Sequence, residues 1–101
     1  MYVRIISRKI LREFWEKRKY RDSENPLREW ETEVKKAAWR NSSVVKNSYN
    51  SASILKNNHV VFDIKGNAYR LVVSINYNYR IVFIRFIGTH KQYDKINAEE
   101  I

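Results

Sequence analysis

Residues 60–95 read Val60-Val-Phe-Asp-Ile-Lys-Gly-Asn-Ala-Tyr-Arg-Leu-Val-Val-Ser-Ile75, then Asn76-Tyr-Asn-Tyr79, then Arg80-Ile-Val-Phe-Ile-Arg-Phe-Ile-Gly-Thr-His-Lys-Gln-Tyr-Asp-Lys95. Runs rich in Val, Ile, Phe and Tyr are separated by short breaks containing Gly or Asn. β-Branched and aromatic side chains suit a pleated, half-buried surface, and such breaks close hairpins. The stretch therefore predicts three consecutive antiparallel strands in a meander.

A two-residue loop at Gly66-Asn67 sets Ile64 opposite Tyr69, Asp63 opposite Arg70 and Phe62 opposite Leu71. Successive side chains point to opposite faces, so Phe62, Ile64, Tyr69, Leu71, Val73 and Ile75 share an apolar face. Asp63, Lys65 and Arg70 share the other. An even-residue loop at the second break adds Ile81, Phe83, Arg85 and Ile87 to the face of Arg70; an odd loop sends Arg85 to the opposite side. Past Gly88, the polar run Thr89-His-Lys-Gln-Tyr-Asp94 begins where a strand ends and can reach over the basic face.

At 101 residues the chain predicts one domain, residues 1–101, able to bury roughly two thirds of its unfolded surface in a two-layer core. A composition 44% hydrophobic and 14% aromatic argues against disorder despite 31% charged residues. No apolar run approaches the ~20 residues of a membrane span. The N-terminus lacks the apolar core of a signal peptide, so a cytoplasmic protein is expected. There is no cysteine, which excludes disulfides and thiolate chemistry. His59 and His90 are far apart and have no partnering motif, so neither a metal site nor another cofactor is expected. The net charge of +9 favours a polyanionic partner. Charge alone does not separate RNA, DNA, ribosome or an acidic protein.

Residues 2–6 are apolar-rich and fit an edge strand. Ser7 offers an N-cap, and Ile10, Leu11, Phe14 and Trp15 recur at helical spacing, predicting an amphipathic helix to about Lys19. After a polar break at residues 21–25, Asn25-Pro26 reads as N-cap and first helical residue. Leu27, Trp30, Val34, Ala37 and Ala38 form the stripe of a second helix, to about Trp39. Its glutamates lie early and its lysines and Arg40 late, as the helix dipole favours. The tryptophans read as core rather than as base-stacking platforms. Residues 41–58 are polar, with a short helical turn expected at residues 43–47, and residues 96–101 form a short acidic tail. The order predicts an α+β domain: two N-terminal helices on one face of a mainly antiparallel sheet, whose other face is open.

An open basic face with aromatic neighbours suits single-stranded RNA, where cations meet phosphates and rings stack on bases. Cutting RNA there requires deprotonation of a ribose 2′-OH, stabilisation of phosphorane charge, and a proton for the leaving 5′-oxygen. Arg70 is the candidate for the charge role, since a guanidinium grips two phosphate oxygens. Equally, it can form a cross-strand ion pair with Asp63. Lys65, Arg85 and Lys91 are candidate phosphate contacts. Lys65 also reads as a solubilising hairpin lysine. His90 can exchange protons near neutrality or be structural, with Asp94 as its orienting group or a surface charge. Tyr93 can stack a base, transfer a proton beside cations, or pack on the sheet.

At these residues the chain resembles the HigB-type toxins of bacterial toxin-antitoxin systems, within the RelE-like superfamily. The likeness covers nearly the whole chain, including Arg4-Ile-Ile-Ser-Arg-Lys-Ile-Leu11, the Trp30 helix and Asn50-Ser-Ala-Ser53. Its sharpest parts are Asn58-His-Val-Val-Phe-Asp-Ile-Lys-Gly-Asn-Ala-Tyr-Arg-Leu71 and Phe86-Ile-Gly-Thr-His-Lys-Gln-Tyr-Asp94. The resemblance implies a small basic ribonuclease that cuts mRNA, usually on the ribosome, and is neutralised by an antitoxin, here expected to carry a helix-turn-helix. It implies metal-independent 2′-OH attack, leaving a cyclic phosphate and a 5′-hydroxyl. Arg70, Lys65 and Tyr93 match the strand arginine, basic residue and C-terminal tyrosine of that family's site. The departure is His90, where many RelE-like relatives have another basic residue, which leaves the acid and base roles open. Two other classes compete: a non-catalytic RNA- or ribosome-binding module using the same face, and a DNA-binding regulator. No clear helix-turn-helix supports the last.

Overall fold

In the computed structural model, which describes residues 3–101, the three predicted strands form the centre of a mixed α/β arrangement. In chain order its elements are β1 (Arg4–Ile6), α1 (Arg8–Trp15), a 3₁₀ helix (Arg18–Ser23), α2 (Glu24–Lys35), α3 (Ser42–Ser48), β2 (Ser53–Ile54), β3 (His59–Ile64), β4 (Tyr69–Asn76), β5 (Ile81–Thr89) and α4 (His90–Tyr93). The sheet order is β1-β5-β4-β3-β2. All pairs are antiparallel except β1 with β5. The expected N-terminal edge strand is thus β1; Tyr2, where it was expected to begin, lies outside the described residues. The two-residue edge strand β2 was not expected. Among the described residues no helix is long and apolar enough to cross a membrane.

The predicted hairpin register holds: Phe62 pairs with Leu71, Asp63 with Arg70 and Ile64 with Tyr69. All six residues of the predicted apolar face are buried, in one core with Leu11, Phe14 and Trp15 of α1 and Leu27, Trp30 and Val34 of α2. The tryptophans are core residues, as expected. Trp30 and Tyr49 meet Phe62 edge-on, and Trp39 stacks on it at 5.9 Å.

The helices differ from expectation at their ends. Ser7 lies in the left-handed region at φ 69° and makes no side-chain cap, because a capping hydroxyl needs an extended backbone to reach the first-turn N–H groups. α1 stops at Trp15 rather than Lys19. Glu16 to Lys19 offer no apolar group to hold a further turn on the core, and Lys17 is extended at ψ 132°. Tyr20 then returns to stack on Phe14 at 4.4 Å. α2 begins at Glu24 instead of Pro26, fed by the 3₁₀ turn. Pro26 still falls within the first turn, where its missing N–H has no intrahelical partner to lose. Glu31 of α2 is buried and accepts from Arg8 Nε at 2.7 Å. α2 ends at Lys35, which lets Trp39 swing into the core. α3 is the expected helical turn, capped by Asn41 Oδ1 accepting from Val44 N–H at 3.1 Å.

Two further corrections concern the second face of the sheet. It is not fully open: Tyr93, Ile96 and Ala98 pack on Val61, Val72, Leu55 and Phe86. The acidic tail carries this apolar pair, Ile96 and Ala98, two residues apart. His59 ties the tail's end down, with Nδ1 2.8 Å from the Asn57 carbonyl oxygen and Nε2 2.8 Å from the main-chain oxygen of Ile101. The second correction is Ile87. The loop after Asn76 is even, as expected, and puts Ile81, Phe83 and Arg85 on the face of Arg70. A bulge in β5 then leaves Arg85 as an extra residue between Ile84, opposite Val73, and Phe86, opposite Val72. Side-chain direction flips across a bulge, so Ile87 enters the core.

Candidate active site

Arg70 stands on β4 between Asp63 on β3 and Gly88 on β5. Its Nε is 3.3 Å from Asp63 Oδ1, with both side chains mostly buried. Neither atom has the alignment of a hydrogen bond, so the contact is one of charge. It positions the guanidinium without using up its directed donors. The other flank is Tyr93, whose ring centre lies 5.0 Å from the guanidinium carbon, within cation–π range.

Gly88 is what lets the chain bring Tyr93 there. A Cβ at this position would meet Gln92 Oε1 and Phe86 Cζ, each at 2.6 Å. Directly after it, Thr89 starts α4 with a reciprocal cap: its Oγ1 accepts from Gln92 N–H at 3.2 Å, and Gln92 Oε1 accepts from Thr89 N–H at 2.9 Å. The Thr-x-x-Gln signature of this capping box is visible in the sequence at residues 89–92. A four-residue helix cannot hold itself together; cap and packing do so here.

His90 and Tyr93 are the first and last residues of α4. Tyr93 reaches Arg70. His90 Nε2 is shielded from solvent and has no hydrogen-bond partner. Asp94 does not orient the imidazole through its side chain. It meets His90 through the main chain, Asp94 N–H donating to the His90 carbonyl at 2.9 Å. Lys91 is exposed on α4.

Lys65 is not on the face of Arg70. Residues 65–68 form the turn, with Lys65 at φ 54° and Gly66 at φ 65°. The left-handed backbone at Lys65 breaks strand alternation and sends its ammonium to Asp22 of the 3₁₀ helix, Nζ to Oδ2 2.5 Å. Asp22 Oδ1 also accepts from the hydroxyl of Tyr69, a core residue. These two donors hold the Asp22 carboxyl below the usual carboxylate range. Burial, followed by the hydrogen bond to Asp22, pushes the Tyr69 phenol up to about 12. Sequence reading missed Asp22, whose partners lie more than forty residues away.

Arg85, at the bulge, is exposed on the face of Arg70. Its Nε donates to Ser74 Oγ at 3.0 Å, and its guanidinium lies 5.2 Å from the Phe83 ring centre. The structure therefore groups Arg70, Asp63 and Tyr93, sets Arg85 further along the same face, and places Lys65 on the opposite side. Among the described residues no three His, Asp or Glu side chains gather as metal ligands.

The family model HigB_toxin, described as the RelE-like toxic component of a toxin-antitoxin system, matches residues 23–96. The match takes in α2 through α4 and every candidate site residue. No curated protein sequence matches the chain.

Proposed function

The chain belongs to the HigB family of RelE-like toxins of toxin-antitoxin systems, and from that premise we propose that it is an endoribonuclease that cuts mRNA on the translating ribosome. The observation that carries this reading is the placing of Arg70 between Asp63 and Tyr93, with Gly88 alongside leaving room for the Gln92 cap of the turn that carries Tyr93. In this reading residues 1–101 form one RelE-like unit acting in the cytoplasm, with α1 and α2 as a layer on the core face of the sheet.

In the proposed reaction a base takes the proton of a ribose 2′-OH, and the 2′-oxygen attacks the adjacent phosphorus. The bond from phosphorus to the 5′-oxygen breaks and that oxygen receives a proton, leaving a 2′,3′-cyclic phosphate and a 5′-hydroxyl. The step requires no metal. Arg70 stabilises the charge that builds on the phosphorane oxygens. His90 and Tyr93 are assigned the proton transfers, with Tyr93 also available to stack a base. Arg85 and Lys91 contact the RNA backbone, and Lys65 does so when it leaves Asp22. A companion antitoxin with a DNA-binding helix-turn-helix and acidic contact residues covers this face and silences it.

Arg70→Ala is expected to lower cleavage on the order of a hundred- to thousand-fold while circular dichroism stays that of a folded protein. Asp63→Asn, which keeps the guanidinium, is expected to retain most of the rate. Full activity of Arg70→Ala would refute the assignment. The Asp63 pair itself favours a second reading, in which Arg70 is structural and the face binds RNA or ribosome without cutting it. Mapping RNA ends in cells expressing the chain separates the two: defined cuts with cyclic-phosphate ends belong only to the nuclease.

A further inference from the structure

At the end of the sheet away from Arg70, a cleft of ≈ 530 Å³ has Arg40, Asn58, Ser74, Asn76, Tyr77, Asn78 and Phe83 among its lining residues. No carboxylate lines it. The Tyr77 hydroxyl is shielded from solvent and lacks a hydrogen-bond partner. The cleft thus combines amides that both donate and accept, an aromatic ring and a guanidinium. That is the set of groups a single-stranded nucleotide engages through its base edge, base face and phosphate.

Its position relates it to the candidate active site. Ser74 and Phe83 are paired across β4 and β5 on the face of Arg70. Ser74 is four residues along β4 from Arg70, or about 14 Å at the rise of an extended strand. Arg85 stands between, touching both Ser74 and Phe83. The tail packs over Val61 on β3, Val72 on β4 and Phe86 on β5 and reaches down to Asn57, so the open path from Arg70 to the cleft runs past Arg85, which stays exposed on β5.

We infer that this cleft is a second RNA subsite. It takes one unpaired nucleotide of the strand whose scissile phosphate lies at Arg70, a few nucleotides away, with Arg85 holding the phosphates between. The inference rests on the nuclease reading above and extends it to substrate length: RNA that reaches both places binds more tightly than RNA that reaches one.

The test uses 2′-O-methyl RNA, which lacks the attacking hydroxyl and so is bound but not cut. Fluorescence anisotropy compares a trinucleotide with a nonanucleotide on the full chain and on the double variant Arg40→Glu/Asn78→Asp, both positions being exposed. Wild type is expected to favour the longer RNA by roughly tenfold or more, as one stacked and charge-paired nucleotide supplies. In the variant that preference should be largely lost. An unchanged preference overturns the inference. So does an equal weakening of both lengths, or a variant defect seen only in ribosome binding, which would assign the cleft to ribosomal RNA instead. If wild type neither binds these RNAs nor cuts translated mRNA, the nuclease reading itself has failed, and the subsite falls with it.

Discussion

Substituting Gly88 by alanine tests whether α4 and the candidate site are one unit. The added Cβ would lie 2.6 Å from both Gln92 Oε1 and Phe86 Cζ, and 3.2 Å from Gln92 Cβ. Ordinary contact therefore requires movements approaching 1 Å. Gln92 can move only by giving up its bond to Thr89 N–H, which removes half of the cap on α4. Losing a cap costs about 1 kcal/mol, and displacing the packed Phe86 ring adds about 1–2 kcal/mol as overpacking. For a chain of 101 residues a loss of roughly 2–3 kcal/mol lowers Tm by about 10–15 °C. Activity should suffer beyond stability, because Tyr93 is carried on the turn that shifts. A misplacement near 1 Å can cost on the order of a hundredfold in rate. Thermal unfolding and single-turnover cleavage, measured well below the variant's Tm, separate the two effects. Combining Gly88→Ala with Gln92→Ala removes the clash with Oε1, so its cost should fall short of the sum of the single costs. A Tm within about 2 °C of wild type, together with unchanged cleavage, would refute the reasoning.

Asp22→Asn should free the Lys65 ammonium from its ion pair, so RNA affinity should rise and its dependence on log salt steepen by nearly one phosphate contact; unchanged affinity and slope would remove Lys65 from the RNA contacts. The Tyr69 phenol, at about 12 against an ordinary 10.0, contributes stability that is complete below pH 10 and is lost as pH rises toward 12. Urea midpoints across that window should fall in wild type and fall less in Tyr69→Phe. Asp22, shifted down, behaves in the opposite sense: its contribution is complete above its ordinary 3.8 and declines only as the solution becomes more acid than that.

The central hairpin was legible because two signals agree at residues 60–75. Apolar side chains alternate, and Gly66-Asn67 supplies the turn, so register and buried face follow together. The helices were legible in their interiors, where Leu11, Phe14, Leu27, Trp30 and Val34 repeat at helical spacing. Their ends were not, because tertiary packing decides them: Tyr20 returning to Phe14 ends one, and Trp39 turning into the core ends the other. Lys65 was misplaced for a local reason. Alternation governs a residue only while its backbone is extended, and at φ 54° Lys65 is not. The tail's packing left a faint trace in Ile96 and Ala98. The amide cleft left none beyond scattered asparagines, since residues from four separate segments converge on it.

The bulge at Arg85 was the least legible feature and bears most directly on the site. Residues 81–87 are apolar except for Arg85, so nothing in the sequence marks a break, and an unbroken strand would turn Arg85 and Ile87 to one face and Phe86 and Gly88 to the other. Gly88 would then face the core, and Ile87 would project from the Arg70 face at the mouth of the site. The extra residue reverses this from Phe86 onward. Ile87 is buried, Phe86 joins the cluster under the tail, and Gly88 comes to lie beside Arg70. Only on that face does the missing side chain make room for the Gln92 cap and for Tyr93 to meet the guanidinium. Arg85 itself, as the unpaired residue, keeps the exposed position from which it reaches Ser74 and Phe83. One inserted residue thus clears the ground beside Arg70 and sets the second cation of the same face, which is the re-aiming of side chains that bulges near functional sites provide.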